Sequence, residues 1–478
     1  MRYLQLRLVY AALALGLSAA PAATQELINR GLVAYGRVAS DARDSLGDTL
    51  GGFGSGMALV PGSWRGRDGR FTATLAMLPD RGWNTEGTTD YQARLQFFDV
   101  VLEPARAHEP GHTGLTMRYR RTLPLTDADG LPTTGLDASD VRKAEGAFPD
   151  LPAAANGRVA MDSEAVAMPG AGDIWVSDEY GPNVYRFSAQ GRMVAVLTPP
   201  PAFVPQRQGR ASFSANSPPL GVTYDVGNPR SGRQNNQGFE GMSITPDGRH
   251  MFVMNQSALI QDLDPGAIKA TRRHVRLLDY DITGAAPRLV HEYVLALPLY
   301  AAGKGADLVA AQSEMLALND RQFLLLCRDS GGGQSLPRDG SAYRAIMAGT
   351  LEGATDIMGR YDGIGDSVSP LGKLRPAIVP AKTRVVLDMN DNDQLNRFGL
   401  HNGAPNDAGD LYEKWESMAL APASDHAAPD DYFLFVGSDN DFITQQGMMA
   451  GKPYADASGA NIDSLILVYR VALPGLKR

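Results

Sequence analysis

The chain has 478 residues, 44% hydrophobic and 21% charged, with 52 glycines and 31 prolines. That composition allows a sizeable core and favours many tight turns over long helices. A formal charge of −8 argues against nucleic acid and anionic membranes as partners.

The N-terminus reads "MRYLQLRLVYAALALGLSAAPAATQ". Arg2 and Arg7 precede an apolar run from Leu8 to Leu17, and Ala20 and Ala22 form an A-x-A pattern. This predicts a secretory leader over residues 1–22, with an apolar part too short for a stable membrane span. Residues 23–478 contain no apolar run of membrane length, so they are expected to form a single exported, soluble domain. Cys327 is the sole cysteine, which excludes an internal disulfide. In "FLLLCRDS" it is expected to be a buried structural thiol.

A short pattern then recurs along the chain. A weak copy, "GSGMALVPG" from Gly54, leads into "RFTATLAMLPDRG" and has Ser55 where later copies have glutamate. "SEAVAMPGAGDIWVSDEYG" starts at Ser163, "FEGMSITPDGRHMFVMNQS" at Phe239, "SEMLALNDRQFLLLCRDSG" at Ser313 and "WESMALAPASDHAAPDDYFLFVGSDND" at Trp415. Each has Glu, any residue, an apolar residue, Ala or Ser, and an apolar residue. A Gly/Pro/Asp/Asn turn and a β-rich run ending in polar residues follow. The acids Glu164, Glu240, Glu314 and Glu416 are spaced by roughly 75 to 100 residues, wide for a repeat unless long insertions separate the strands.

Each copy precedes a further strand-like run: "ARLQFFDV", "NVYRFSAQG", "VRLLDYDITG", "SAYRAIMAG" and "LILVYRVAL". Read as alternating apolar and polar residues, these predict half-buried strands. Hairpins plus further antiparallel strands, repeated around a circle, predict an all-β propeller of five to seven blades. A β-sandwich or β-helix fits less well, because its strand groups do not recur at this spacing. Residues 105–155, 204–237, 352–382 and 389–414 read as inserted loops, which on a compact scaffold are functional or disordered.

Several stretches together resemble the phytase-like family, also described as having esterase-like activity of phytase. They are "LPDRGWN" (78–84), "LPLTDADGLPTTGLD" (123–137), "DSEAVAMPGAGDIWVSDEYGPNVYRF" (162–187), "NNQGFEGMSITPDGRHMFV" (235–253), "LLLCRDSG" (324–331) and "FVGSDNDF" (435–442). The resemblance runs from about residue 50 to the C-terminus and implies a propeller with ester-hydrolysing chemistry. Two departures stand out. Cys327 precedes Arg328 where the family pattern has a glutamate. The D-A-x-D-D-P-A-x-W and N-N-x-D-x-R stretches of calcium-dependent propeller phytases are absent, so the resemblance implies the fold more directly than the reaction.

In a propeller, corresponding residues of successive blades occupy equivalent places around the axis. Glu164, Glu240, Glu314 and Glu416 would then converge and raise one another's pKa unless a cation or basic groups neutralise them. A hard cation taking six to eight oxygens suits such a cluster, and Ca²⁺ is the cofactor expected. Acids ending the second strands, Asp178, Glu179, Asp329, Asp439 and Asp441, would add ligands. The competing reading is that each glutamate accepts backbone N–H groups of the next blade and locks blades together. Arg81 and Arg328 follow second strands and suit bidentate binding of an anion, unless they pair with Asp80 and Asp329.

"LDMNDNDQLNRFG" has the 1-3-5 spacing of an EF-hand at Asp388, Asn390 and Asn392. However, Asp393 replaces the glycine and Gly399 the final glutamate, leaving a looser calcium loop or an ordinary Asx-turn loop. No G-x-S-x-G, H-E-x-x-H, cysteine-phosphatase or histidine-acid-phosphatase signature occurs. The expected function is therefore an exported hydrolase of a small anionic phosphate ester or related ester through metal-activated water. Glu240, Glu314, Arg81 and Arg328 would be its catalytic set. The metal would rest on Glu164, Glu240, Glu314, Glu416, Asp178, Asp439 and Asp441. The alternative is a non-catalytic propeller that binds a ligand or protein partner on its loop-rich face.

Overall fold

The recurring hairpins become the two inner strands of five blades. The computed structural model describes residues 26–476 apart from 106–112, 171, 285, 304 and 306, so the leader expected at 1–22 lies outside the described residues. Blade one runs outward through Gly56–Leu59, Arg70–Leu78, Arg94–Leu102 and Leu115–Pro124, with Arg65–Arg67 added beside its second strand. Blade two contains Ser163–Gly170, Asp173–Asp178, Val184–Ser188 and Met193–Leu197. Blade three contains Phe239–Ile244, His250–Asn255, His274–Asp281 and Arg288–Ala296. Blade four contains Ala311–Ala317, Gln322–Arg328, Arg344–Thr350 and Lys382–Asp388.

Blade five takes three strands from the C-terminal part, Trp415–Pro422, Asp431–Ser438 and Ser464–Ala472, and its outer strand from Ile28–Val38. That strand pairs antiparallel with Ser464–Ala472, from Ile28 opposite Ala472 to Val38 opposite Ser464. The first and last parts of the chain are thus joined by backbone hydrogen bonds. The five inner strands neighbour one another in sequence order, and blade five's meets blade one's. The all-β propeller is the observed fold, with five blades.

The third strands were expected to be half-buried, and this is corrected. Arg344–Thr350 is buried throughout, and Ser464–Ala472 at all but one position. Leu465, Leu467, Tyr469 and Val471 pack toward blade four, while Ile466 and Val468 pack toward blade one. A blade lies between two others, so successive side chains enter different cores and both faces are apolar. Cys327 follows the same rule. It is fully buried beside Phe323 and Leu325, in the core shared by blades three and four, while Leu324 and Leu326 face blade five. Burial pushes the thiol's pKa up, which fits a structural role.

The segment read as an insertion at 105–155 contains a regular blade strand, Leu115–Pro124. Its alternating exposure marks it as an outer edge of the ring. At 389–414 the loop is built on Asx turns, with Asp388 Oδ1 accepting from Asn390 N at 2.9 Å and Asp391 Oδ1 accepting from Asp393 N at 2.9 Å. The 204–237 segment is held down by Arg233, which is buried and donates to the carbonyls of Tyr180 and Phe213. This brings Asn235, Asn236 and Gln237 to the mouth of the central channel.

Candidate functional site

The inner strands of blades two to five bring their first residues to a cavity of about 380 Å³, to which blade one contributes Asp80 and Arg81, just after its second strand. How each glutamate enters that cavity depends on a β-bulge. In blade two, Glu164 and Ala165 together oppose Ser177, between the pairs Ser163–Asp178 and Val166–Val176. In blade three, Glu240 and Gly241 oppose Met254, and in blade five Glu416 is the extra residue between Trp415–Ser438 and Ser417–Gly437. The bulge re-aims the side chain into the channel mouth. Gly241 also permits close approach of blades three and four, since a Cβ there would lie 2.7 Å from Gln312 Oε1 and 2.8 Å from Met315 N.

Blade four places its bulge one residue earlier, at Ser313, and keeps Glu314 in the ladder opposite Leu326. One residue of shift changes the face on which a side chain emerges. Gln312 and Ser313 therefore line the mouth, whereas Glu314 borders the opposite half of the channel beside Met242, Met315 and Leu316. Its carboxylate accepts from Met315 N at 2.7 Å and also from Met242 N of blade three. The expectation that Glu314 joins the catalytic and metal-binding set is corrected by this placement. It locks two blades together.

Asp178 is corrected for a similar reason. It is fully buried and accepts from Asp162 N at 2.9 Å, Tyr180 N at 3.2 Å, Gly181 N at 2.8 Å and the Tyr185 hydroxyl at 3.2 Å. Its oxygens are engaged in shaping the turn after the second strand. Asp329 likewise holds its own loop, through Arg338, the Ser341 hydroxyl and Ala342 N.

The remaining expected residues do meet. Glu164, Glu240, Glu416, Asp441, Arg81 and Arg328 all line the cavity, and Asp439 lies directly behind Asp441. Sequence reading left several partners out of the set: Asp80, Asp162, Arg272, Glu413 and Lys414, with Asn84, Gln256 and Gln312 between them. Asp162 and Lys414 stand within two residues of the motif glutamates, in "MDSEAV" and "EKWES", so adjacency to the repeat was a usable signal. Arg272 carried none.

Two acidic groups line the mouth. In the first, Lys414 Nζ lies 2.6 Å from Asp439, 2.8 Å from Asp441, 3.4 Å from Asp80 and 3.5 Å from Glu416. Burial opposes the ammonium's charge, but these carboxylates outweigh it and hold its pKa well above the usual lysine range. Asp80 is nonetheless pushed up to about 7, mainly by burial. Ser55, which replaces the glutamate in blade one, donates its hydroxyl to Asp439 at 3.2 Å.

In the second group, one carboxylate oxygen from each of Asp162, Glu164 and Glu179 lies within 4.8 Å of the others. Arg81 Nη1 approaches Asp162 to 3.0 Å. Both oxygens of Glu179 and Oε2 of Glu240 are buried without a hydrogen-bond partner among the described residues. Gln256 holds the other Glu240 oxygen at 2.9 Å. Burial first, and then the neighbouring acids, push Glu164 and Glu179 well above the carboxylate range, while burial and Glu416 push Glu240 to about 8. A buried carboxylate with no partner is costly, and a cation removes the cost. Hard divalent ions bind oxygen at roughly 2.3–2.6 Å, so a single ion can touch oxygens spaced as these are. The second group fits a metal, and the first already holds a cation of its own.

The arginines expected to be open to an anion are both engaged. Arg81 pairs with Asp162, and Arg328 pairs with Glu413 at 3.2 Å and with Glu416. The anticipated partners, Asp80 and Asp329, are not the ones chosen. Each guanidinium instead reaches an acid on the next blade or in the loop leading to it, tying the mouth together around the ring.

These features define an acid-lined five-bladed propeller with a site suited to a hard cation. The chain belongs to the phytase-like family, described as esterase-like activity of phytase, whose pattern it matches over residues 49–442. It is also 41% identical over 450 residues to an uncharacterized secreted protein of Arthroderma benhamiae, covering 87% of this chain and 88% of the relative. Among solved structures, it is similar to the catalytic domain of the Coprinopsis cinerea GH62 α-L-arabinofuranosidase, with a TM-score of 0.32 and 11% identity over 92% of this chain and 97% of that one. An N-acetylgalactosamine deacetylase from F. plautii has a TM-score of 0.34 and 9% identity over 93% of this chain and 95% of that one. Likenesses this slight carry no argument about chemistry.

Proposed function

We propose that this protein is an exported, Ca²⁺-dependent hydrolase of a small anionic ester, with a phosphate ester as the first candidate. The observation that carries the reading is Glu179, whose two buried carboxylate oxygens have no hydrogen-bond partner among the described residues, next to Oε2 of Glu240, which has none either. Family membership supports ester hydrolysis. The leader pattern of residues 1–22 and the secreted relative support export.

Asp162, Glu164, Glu179 and Glu240 would hold the ion. When bound, a hard divalent cation supplies a positive charge against an ester oxygen and lowers the pKa of a water beside it. The chain's own residues do the rest. Arg81 fixes Asp162, and Gln256 fixes one oxygen of Glu240, so that its other oxygen faces the cavity. Eight acids and four basic groups border the mouth, a surplus of acidic groups that a bound cation would offset.

The test is to equilibrate the mature protein with chelator, then measure melting temperature and p-nitrophenyl phosphate turnover with and without added Ca²⁺. Turnover restored by Ca²⁺, together with a raised melting temperature, is the expected result. A calcium-independent melt with no turnover of phosphate or acyl esters would sink this reading and leave a ligand-binding propeller.

A further inference from the structure

Of the four basic side chains bordering the cavity, three are neutralised. Arg81 has Asp162, Arg328 has Glu413 and Glu416, and Lys414 has its ring of acids. Arg272 alone has no carboxylate at ion-pair distance among the described residues. It follows the short helix Ile268–Thr271 and leads into the third strand of blade three, and its carbonyl accepts from Ala258 N at 3.2 Å. Its side chain is half-buried. Its one hydrogen bond shown runs from Nη2 to the Val309 carbonyl, long at 3.4 Å, and its Nε is buried with no partner.

The surroundings of Arg272 differ from the acid-lined wall. Ala311, Gln312, Ser313 and Ser330 line this part of the mouth, and Arg328 stands close enough to disfavour the charge on Arg272. Burial acts in the same direction and more strongly. A guanidinium stays protonated under such pressure, so the cost is borne as a half-buried charge with no carboxylate partner. An oxyanion set against Arg272 would remove that cost and complete its planar set of donors.

We infer that Arg272 is an anion subsite that receives a phosphoryl group of the substrate, in the same cavity as the Asp162–Glu164–Glu179–Glu240 cluster. The inference deepens the ester-hydrolase reading and rests on it for the identity of the substrate. The cavity is then bipolar, and the ester is oriented by one anionic group held away from the cation. Arg272 is a binding residue here, distinct from the arginines that fix the acids.

Calorimetric titration of inorganic phosphate into chelator-treated mature protein tests this without any divalent cation, with acetate titrated in parallel. Phosphate should bind more tightly than acetate. Arg272→Gln should weaken phosphate binding at least tenfold, and Arg272→Lys, which keeps the charge but loses the fork, should weaken it less. Both variants should keep the wild-type melting temperature and Ca²⁺ affinity. Phosphate binding that is unchanged in Arg272→Gln, absent without Ca²⁺, or weaker than acetate binding would overturn the subsite. Loss of Ca²⁺ binding by the wild type would instead count against the cation site, so the two failures are distinguishable.

Discussion

The two acidic clusters of the channel mouth are nearly alike in composition and opposite in electrostatic state. Asp80, Asp439, Asp441 and Glu416 surround Lys414, an ammonium that the chain supplies itself. Among the described residues, Asp162, Glu164, Glu179 and Glu240 have a single ion pair, Arg81 with Asp162, and three carboxylate oxygens of Glu179 and Glu240 are buried without a hydrogen-bond partner. Carboxylates converging at a propeller axis are therefore not in themselves a metal site. What separates a structural cluster from a ligand-binding one is whether a side chain already occupies the position of the cation.

Removing the internal cation should have the largest effect. Lys414→Met leaves a group of buried acids without its counter-ion and should destabilise the fold by about 3–5 kcal/mol, read by chemical denaturation. A loss under 1 kcal/mol would mean that the acids around Lys414 are protonated or hydrated, and the contrast between the clusters would fail. Next comes Glu314→Ala in blade four, which takes the acceptor from two buried N–H groups. It should cost about 1–3 kcal/mol and leave Ca²⁺ affinity at the wild-type value in calorimetry.

Glu240→Gln should behave in the opposite way. Ca²⁺ affinity should fall by at least tenfold, about 1.4 kcal/mol, while the melting temperature in chelator stays level or rises because a buried carboxyl that resists ionising has gone. If the melt drops and calcium binding persists, Glu240 is a second blade lock and the cation site is elsewhere.

The smallest effect is a pH slope. The Glu240 carboxyl is pushed from its ordinary 4.5 up to about 8 in the folded chain, so between these values the folded state holds a proton that the unfolded state has lost. Its contribution to stability is full below pH 4.5 and is lost as pH rises through 8. The chelator-treated protein should melt progressively lower across that window, with a shallower slope in Glu240→Gln. Saturating Ca²⁺, which binds the ionised form, should flatten or invert the slope.

Much of this molecule can be read along the chain. The repeated Glu-x-apolar motif located the inner strands of blades two to five and its weak Ser55 copy that of blade one, and the β-rich runs that follow located the second strands, which end at Leu78, Asp178, Asn255, Arg328 and Ser438. The motif also identified Glu164, Glu240 and Glu416 as neighbours across hundreds of residues. It failed at Glu314, because the local pattern there matches the other copies and only the ladder shows the bulge displaced to Ser313. Asp178 failed because a carboxylate at a strand end can serve its own turn as readily as a ligand, and the sequence does not say which.

Fold class and the convergence of acids follow from the period of the hydrophobic pattern and from repetition, which are local properties of each copy of the motif, whereas repetition bounded the blade count only at five to seven and the closed ring fixes it at five. Three things were settled only in three dimensions: the closure of blade five by Ile28–Val38, the pairing of Lys414 with one acidic cluster, and the isolation of Arg272. The first two join residues far apart in the chain, by backbone hydrogen bonds or by charge, and the third depends on which carboxylates the fold keeps away. Such contacts depend on which groups reach one another first and neutralise each other, and chain order does not record that.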